Sequence, residues 1–224
     1  MWTIIYCRRH DGRSPNLEAA KISNPDAQVL CIPTKNNFSR RFGWYNADLM
    51  VRNNVRRIRN EIIGTNIAIA EWDTCILQTL DPDKNLKNTF LWPNKTGRHW
   101  AIRKDMKFYT NTYLRPFVTG GSRFSYIEMS IDVLDIWLEK RYDWVYKQDL
   151  YCEVRPSTIL NSRGVKIGSA GLADTVGATR EIDLSEPGIY HPIVSPVSPD
   201  ICKYLFKKNN KLYNNFFYDI FDKE

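Results

Sequence analysis

Two acidic residues, Glu71 and Asp73, directly follow an apolar run at residues 67–70. A short run of small and branched apolar residues is typical of a buried strand, so we expect a strand that ends at Ala70. Residues i and i+2 of an extended segment point the same way, which predicts that both carboxylates face one cavity with Trp72 turned into the fold. Two carboxylates repel each other at short range, and a divalent cation relieves that repulsion. Because oxygen ligands suit Mg²⁺ or Mn²⁺, the pair predicts a metal site that could also bind a diphosphate.

The segments around this acidic pair are basic. Arg52, Arg56 and Arg59 precede the strand at spacings of four and three residues, which places them on one face of a helix. That face could reach a nucleotide or a diphosphate, or it could simply be solvated. A predicted first strand at residues 3–7 leads into a second basic segment at residues 8–13, which would lie beside the acids if the two strands are neighbours. Without such a context, a Glu-x-Asp triplet is more often a pair of surface acids in a turn.

The apolar pattern predicts an α/β fold. Strands at residues 3–7, 28–32 and 67–70 alternate with helical patterns at residues 14–22 and 46–63, and Gly64 ends the second helix. This alternation is typical of a parallel sheet covered by helices. In the second half of the chain, the pattern predicts an amphipathic helix over residues 124–142, and a helix followed by a strand over 155–167 with a break at Gly164. A long loop that orders around a ligand is expected over residues 168–199, and a helical tail over 203–224.

The composition fits one globular domain. The chain has 224 residues, of which 43% are hydrophobic, and this excludes wholesale disorder. Lys and Arg number 32 against 25 Asp and Glu, so the net charge is +7. A basic excess favours polyanions without choosing between nucleic acid, anionic lipid and phosphate-bearing ligands, and a basic surface kept for solubility is equally open. No apolar run approaches the about 20 residues that a membrane-spanning helix needs.

The cysteines and the N-terminal segment predict a cytoplasmic protein. The number of cysteines is odd, five in total, and none lies within four residues of another, which argues against a zinc knuckle and a disulfide scaffold. Cys7, Cys31 and Cys75 lie in or beside apolar runs, so we expect buried thiols in a reducing compartment. At the N-terminus the apolar stretch precedes the basic residues, which is the reverse of a secretory signal and favours a buried first strand.

Several segments, taken in order, resemble the GT-A-fold glycosyltransferases. Residues 59–63 and 67–73 resemble their R-N-x-(apolar)…(strand)-D-x-D stretch, with Glu71 in place of the first Asp. The first strand with its Arg-rich loop is similar to their nucleotide-binding start. The resemblance extends over residues 3–195, and small viral glycosyltransferases are the most similar type. Three further segments carry it: Gly120-Gly121-Ser122 resembles the acceptor-side turn of inverting members, residues 148–151 with Arg155 resemble their E-D-x-x-(L)…R motif with Gln148 in place of Glu, and residues 190–192 resemble the segment with the late metal-binding His.

The resemblance implies a single GT-A-like α/β domain over residues 1–224, with a mixed, mostly parallel central sheet flanked by helices. Residues 1–115 would bind the nucleotide sugar and the metal, residues 116–200 the acceptor, and residues 201–224 would form a helical tail. The implied activity is an inverting sugar transfer from a UDP- or GDP-type nucleotide sugar to a hydroxyl of a glycan or glycoprotein.

The resemblance also implies roles for individual residues. With Mn²⁺ or Mg²⁺ as cofactor, Asp73 and His191 would bind the metal, and Glu71 would reach it through water or hold the ribose. Asp149 is the first candidate for the base that inversion requires, and Glu128 is the second because it follows the Gly-rich turn near an expected helix start. The nucleotide-sugar set is Tyr6, Arg8, Asp11, Arg13, Arg56, Arg59, Glu71, Trp72 and Asp73, and the acceptor set is Gly120, Gly121 and Ser122.

Three other functions stay open from the sequence. A nucleic-acid-binding protein would explain the net charge and the Lys residues interleaved with aromatics at residues 203–218, but not the Glu-x-Asp triplet or the late His, so nucleic acid is not the expected partner. A metal-dependent nucleotidyltransferase or phosphatase would also use paired carboxylates, usually with another acid nearby. A protein that has lost catalysis and only binds sugar would explain Gln148 in the motif.

Overall fold

The computed structural model describes residues 1–8, 12, 14–33, 46–81, 113–118, 125–147, 152–168, 173–174 and 184–208. The strands are β1 (Trp2–Cys7), β2 (Gln28–Ile32), β3 (Asn66–Ala70), β4 (Cys75–Ile76), β5 (Tyr126–Ser130), β6 (Ala173–Asp174) and β7 (Ile189–His191). The helices are α1 (Leu17–Ser23), α2 (Ala47–Arg57), α3 (Ile131–Leu138), α4 (Arg155–Asn161) and α5 at residues 199–208.

Four strands form a mixed, mostly parallel sheet in the order β2-β1-β3-β5. Strand β1 lies parallel to both β2 and β3, and β5 runs antiparallel to β3. A smaller sheet has the order β4-β7-β6, in which β7 is antiparallel to β4 and parallel to β6. The α/β class predicted from the sequence is therefore confirmed, and so are the three N-terminal strands.

Both faces of the main sheet are covered, and every residue of β1 and β3 is therefore buried. On one face, Ile5 and Ile69 pack in a core with apolar residues of α2, α3 and α4. On the other face, Ile4 and Ala68 pack with Ala20 of α1. Burial on both faces explains why these strands read as continuous apolar runs, and it leaves the strand ends as the places where polar side chains can gather.

The expected helix over residues 124–142 is confirmed only over Ile131–Leu138. Residues 126–130 form β5, and α3 begins only at Ile131, where Ser130 caps the helix by accepting a hydrogen bond from the Val133 N–H at 3.3 Å. Ile127 packs into the core on the α3 side of the sheet and Tyr126 into the opposite core. This alternation with a period of two is typical of a strand. Because strand β5 directly precedes helix α3, their apolar residues together form a continuous pattern that predicts one long helix.

Other predicted boundaries are corrected in detail. Helix α2 ends at Arg57 and is followed by a 3-10 turn at Arg59–Glu61. Gly64 does not cap it; a Cβ at Gly64 would lie 2.6 Å from the Thr3 backbone nitrogen, so the glycine permits close approach to β1. The helix at residues 155–161 and the break at Gly164, whose φ is +71°, are confirmed, but no strand follows within residues 165–168. The expected loop over residues 168–199 contains β6 and β7.

The arginine face of α2 stabilises the end of α3. Arg52 donates to the Trp137 and Glu139 carbonyls at 2.8 and 2.6 Å, and Arg56 donates to the Leu138 carbonyl at 2.6 Å. The last carbonyls of a helix have no partner within the helix and carry the negative end of its dipole. The predicted common face is confirmed for Arg52 and Arg56, which bind the C-terminus of α3 and the Asp143 carboxylate. Arg59, the third member predicted, lies in the 3-10 turn beyond α2.

Asp48 and Arg155 form a buried ion pair with two hydrogen bonds. Arg155 Nη2 and Nε lie 2.5 and 2.9 Å from the two oxygens of Asp48, and the two side chains are 1% and 0% exposed. Burial raises the pKa of Asp48 to about 6, although the Arg155 charge opposes this effect. The pair is thus charged near neutral pH, and its planar bidentate geometry joins the start of α2 to the start of α4.

All five cysteines are free thiols. Cys7 and Cys75 are buried as expected, whereas Cys31 is only partly buried. Burial raises the pKa of Cys75 to about 12 and that of Cys7 still further, so both thiols are protonated and unreactive near neutral pH. Among the described residues, no helix combines the length and the apolar character needed to cross a bilayer.

We predict that Asp48→Ala lowers the free energy of unfolding by about 3–5 kcal/mol, because it leaves the Arg155 charge buried without its partner. Urea denaturation at pH 7 measures the loss. The matched control is Asp135→Ala, which removes the partner of Arg59 in an ion pair whose side chains are 30% and 49% exposed. This variant should lose less than about 1 kcal/mol. Equal losses in the two variants would contradict the special role of the buried pair.

Candidate metal site

Glu71, Asp73 and His191 come together where β3 and β7 end. One ligand atom from each of the three lies within 4.8 Å of the others. His191 Nε2 is 3.5 Å from Glu71 Oε2 and 3.4 Å from Asp73 Oδ1. The structure therefore unites the three residues expected to bind the metal, although His191 lies far from the acids in the sequence.

The chain from Glu71 to Thr74 is a turn and not an extended segment. The Thr74 N–H donates to the Glu71 carbonyl at 3.1 Å, which closes a four-residue turn directly after β3. The prediction that both carboxylates face one place is confirmed, but the reason given for it, the alternation of an extended chain, is wrong. The turn leaves Trp72 half-buried at its tip.

Hydrogen bonds from neighbouring strands fix this turn. The Tyr6 hydroxyl of β1 donates to the Thr74 carbonyl at 3.1 Å. Ser125, just before β5, accepts from both the Glu71 N–H at 3.0 Å and the Thr74 hydroxyl at 2.5 Å through its carbonyl. Because Tyr6 is completely buried beneath the turn, it supports the acidic residues from below and does not offer its ring to a nucleotide.

Strand β7 brings His191 to the acids. It pairs with β4, the strand that directly follows the turn, with Tyr190 opposite Cys75. Two residues beyond His191, the Ile193 N–H donates to the Asp73 carbonyl at 2.7 Å. The backbone thus holds the imidazole and the carboxylates together without using the side-chain atoms that face one another.

The donor atoms fit a divalent cation. Asp73 Oδ1 is buried and accepts no hydrogen bond, and an isolated buried carboxylate oxygen is costly. Its 3.4 Å separation from His191 Nε2 is longer than the 2.7–2.9 Å of a charge-assisted hydrogen bond. Two carboxylates and one imidazole converge without satisfying one another, as ligands around a common ion do. Exposed fractions of 14% for Asp73, 7% for His191 and 36% for Glu71 leave the group open mainly on the Glu71 side.

The other expected site residues differ in their positions relative to the metal site. Arg8 follows β1 directly, and because Tyr6 pairs with Ala70, Arg8 lies at the same edge of the sheet as Glu71. Glu128 is 1% exposed and accepts a hydrogen bond from the Tyr126 hydroxyl at 2.8 Å. Six others lie outside the described residues, namely Asp11, Arg13, Gly120, Gly121, Ser122 and Asp149.

Arg56 and Arg59 are not brought to the metal site. Arg56 is bonded to the end of α3, and Arg59 Nη2 lies 2.7 Å from an oxygen of Asp135. Arg59 belongs to the turn that precedes β3, whereas Glu71 follows β3, so the two residues lie at opposite edges of the sheet. These arginines therefore do not support the expected contact with a nucleotide.

Sequence reasoning missed the residues that hold the site. Ser125 and Ile193 act through backbone groups, which every residue carries, so no sequence signal could have identified them. Thr74 acts through its side chain as well, but turns commonly contain such residues for local reasons.

Comparisons with known proteins return solved structures only, because no family model and no curated protein matches the chain. The galactosyltransferase LgtC in complex with donor and acceptor sugar analogs is 11% identical, with 95% of each chain covered and a TM-score of 0.46. An active-site mutant of LgtC has the same identity and coverage and a TM-score of 0.44. Mouse xyloside xylosyltransferase 1 in its apo form is 8% identical over 88% of this chain and 99% of its own, with a TM-score of 0.43. Because these TM-scores are below 0.5, the function of the chain has to be argued from its own residues.

We predict that Asp73→Asn stabilises the metal-free protein. The substitution removes one of two neighbouring carboxylate charges, whose Oδ1 is buried without a hydrogen bond, and supplies an amide that can donate to Glu71. In EDTA at neutral pH, the free energy of unfolding should rise by about 0.5–2 kcal/mol in urea denaturation, as is common when a functional site is neutralised. A variant less stable than the native protein would show that the Asp73 charge holds the fold together.

Proposed function

We propose that the chain is a metal-dependent glycosyltransferase that moves a sugar from a nucleoside-diphosphate sugar to a hydroxyl of a glycan or glycoprotein. The observation that carries the proposal is the convergence of Glu71, Asp73 and His191 at the carboxyl edge of β3. In open α/β sheets ligands bind outside the carboxyl ends of the strands, so the site lies where a nucleotide is expected. The motif order in the sequence supports sugar transfer among the reactions that use such a site.

The donor set favours Mn²⁺ over Mg²⁺. Mg²⁺ prefers an all-oxygen shell, whereas an imidazole nitrogen is a good ligand for transition metals. Asp73 and His191 are the less exposed members and would bind the ion directly, and Glu71 would reach it through water or hold the ribose. When bound, the ion would neutralise the charge that appears on the diphosphate as the sugar leaves.

The basic segment after β1 is the best candidate for the nucleotide contacts. Arg8 lies at the site's edge of the sheet, and residues 9–13 continue from it. A UDP- or GDP-type donor would place its diphosphate near the acids and its nucleoside toward this segment. Arg56 and Arg59 are left out of this donor site because their guanidinium groups bind at α3.

Transfer breaks the bond between the anomeric carbon and the phosphate oxygen and forms a bond from that carbon to the acceptor oxygen. The acceptor hydroxyl loses its proton to a base, and the nucleoside diphosphate leaves with the electron pair. We assign the base to Asp149 on its position in the motif and expect inversion. The burial of Glu128 does not favour the same role, since a base has to contact the acceptor hydroxyl.

The thiols support a reducing compartment for the protein. Five free cysteines, four of them buried, suit a reducing compartment such as the cytoplasm. An acceptor in that compartment would be a soluble glycoprotein or glycan, or one exposed on the cytoplasmic side of a membrane.

We predict that UDP or GDP raises the melting temperature only when Mn²⁺ is present, because a ligand that binds the native state alone stabilises it by mass action. Thermal-shift titration with each nucleotide, with and without Mn²⁺ or Mg²⁺, measures this. In Asp73→Ala the metal-dependent shift should vanish, together with donor hydrolysis and transfer. The control is Glu61→Ala, which removes an exposed acid at the opposite edge of the sheet and should behave as the native protein does.

Two outcomes would contradict the proposed function. Release of pyrophosphate or inorganic phosphate in place of a nucleoside diphosphate would identify a nucleotidyltransferase or a phosphatase at the same site. Binding of nucleic acid that persists in a chelator and weakens steeply with salt, without any nucleotide shift, would identify the polyanion-binding alternative.

We predict that Asp149→Asn retains the Mn²⁺-dependent nucleotide shift but lowers transfer by about 10²–10⁴-fold, the typical contribution of a general base. Initial rates with a nucleotide sugar and a hydroxyl acceptor, together with NMR of the first product, measure the rate and the anomeric configuration. Normal transfer by the variant would remove Asp149 from the base role, and retention of configuration would remove the need for such a base.

A further inference from the structure

Asn16 precedes α1 but does not cap it. Asparagine at this position usually accepts a hydrogen bond from a backbone N–H of the first helical turn. Here the side chain makes no such bond, although it is completely buried. Its Nδ2 instead donates to the Ile193 carbonyl at 2.7 Å, a residue near the opposite end of the chain.

The bond from Asn16 continues directly into the metal site. Ile193, whose carbonyl Asn16 holds, uses its own N–H to bond the Asp73 carbonyl at 2.7 Å. The same residue follows His191 by two positions. The Asn16 amide, the Ile193 peptide groups and the Asp73 backbone therefore form one hydrogen-bonded line, which reaches two of the three candidate metal ligands.

The Asn16 amide is kept at a cost to stability. Its Oδ1 is buried and accepts no hydrogen bond, and an unsatisfied buried acceptor is unfavourable. Exchanging the positions of the Asn16 amide nitrogen and oxygen would not satisfy Oδ1, because it would then face the Ile193 carbonyl oxygen, which is also an acceptor. A side chain that gives up its helix cap and leaves one oxygen unsatisfied is expected where it serves another purpose.

We propose that Asn16 is a positioning residue for the metal site: by holding Ile193, it keeps His191 and Asp73 at the separation from which both can bind one cation. The proposal rests on the proposed function in that it assumes a metal at this site. It also couples the segment before α1, which follows the basic residues 8–13, to the metal ligands. Hydrogen-bonded partners behind metal ligands typically change metal affinity by about 10–100-fold.

The test compares three variants. Asn16→Ala removes the amide, and Asn16→Leu removes its donor at nearly constant volume, so that loss of packing is separated from loss of the hydrogen bond. The matched control is Asn24→Ala at the other end of α1. Asn24 is also buried, at 4%, and its amide bonds the Ala20 and Gln78 carbonyls and the Leu80 N–H, none of which belongs to the metal site.

Two readouts are measured on the full chain without any nucleotide or acceptor. Calorimetric titration with Mn²⁺ alone should give a Kd at least about 10-fold weaker in both Asn16 variants and within about twofold of native in Asn24→Ala. Hydrogen exchange of the Ile193 amide, followed by NMR in EDTA, should be at least about 10-fold faster in the Asn16 variants only, because the line that protects this N–H is broken.

The outcomes separate the inference from the proposed function. If Ile193 exchange and Mn²⁺ affinity are unchanged in both Asn16 variants, or if Asn24→Ala changes them equally, Asn16 is not a positioning residue. If the native protein binds no Mn²⁺, the metal-dependent function and this positioning role both fail, whatever the exchange rates. If Mn²⁺ binds and depends on Asn16 but no sugar is transferred, the positioning role stands and the proposed reaction fails.

Discussion

The hydrogen bond from the Ile193 N–H to the Asp73 carbonyl is the contact on which the candidate site depends. Two acids after one strand are common in proteins, and alone they are only a turn with negative charge. This bond adds a histidine from a distant part of the chain to the acids, and it does so through backbone groups. Because the backbone carries the geometry, the side-chain atoms of Glu71, Asp73 and His191 face one another without having to bond one another. That separation is what a cation requires.

The burial of the main sheet decides where charge can lie. Strands β1 and β3 are covered on both faces, so polar side chains gather at their two ends. The acids occupy the carboxyl edge, whereas Arg59 lies at the opposite edge and pairs with Asp135. Arg52 and Arg56 bond the carbonyls that end α3. Part of the positive charge that the sequence appeared to offer to a polyanion is therefore used to join two helices.

The first half of the fold could be predicted because its signals are local. The apolar runs at residues 3–7, 28–32 and 67–70 mark strands, and the Glu-x-Asp triplet after the third marks a site. The limits of β5 and α3 could not be predicted from periodicity, since a strand followed at once by a helix presents a continuous apolar pattern. The carbonyl partners of Arg52 and the turn at Glu71 were also beyond prediction, because every residue possesses such carbonyl groups. The carboxylate partner of Arg52, Asp143, lies 91 residues away in the sequence. His191 was found only through the resemblance, since a lone histidine in a loop carries no spacing that links it to Glu71.

At the candidate site, the backbone groups are hydrogen-bonded, whereas two side-chain oxygens are left without partners at a cost to stability. The turn and its supports are well satisfied: the Thr74 carbonyl and hydroxyl, the Glu71 N–H and the Ile193 N–H all have partners. Among the described residues, five buried side-chain atoms lack a hydrogen bond, and two of them are Asp73 Oδ1 in the site and Asn16 Oδ1 behind it. A chain selected for stability alone would fill these places with apolar or paired groups. These two atoms lie along the contacts that run from Asn16 through Ile193 to Asp73, and a cation bound by the Asp73 carboxylate would offset the cost of leaving its Oδ1 without a hydrogen bond.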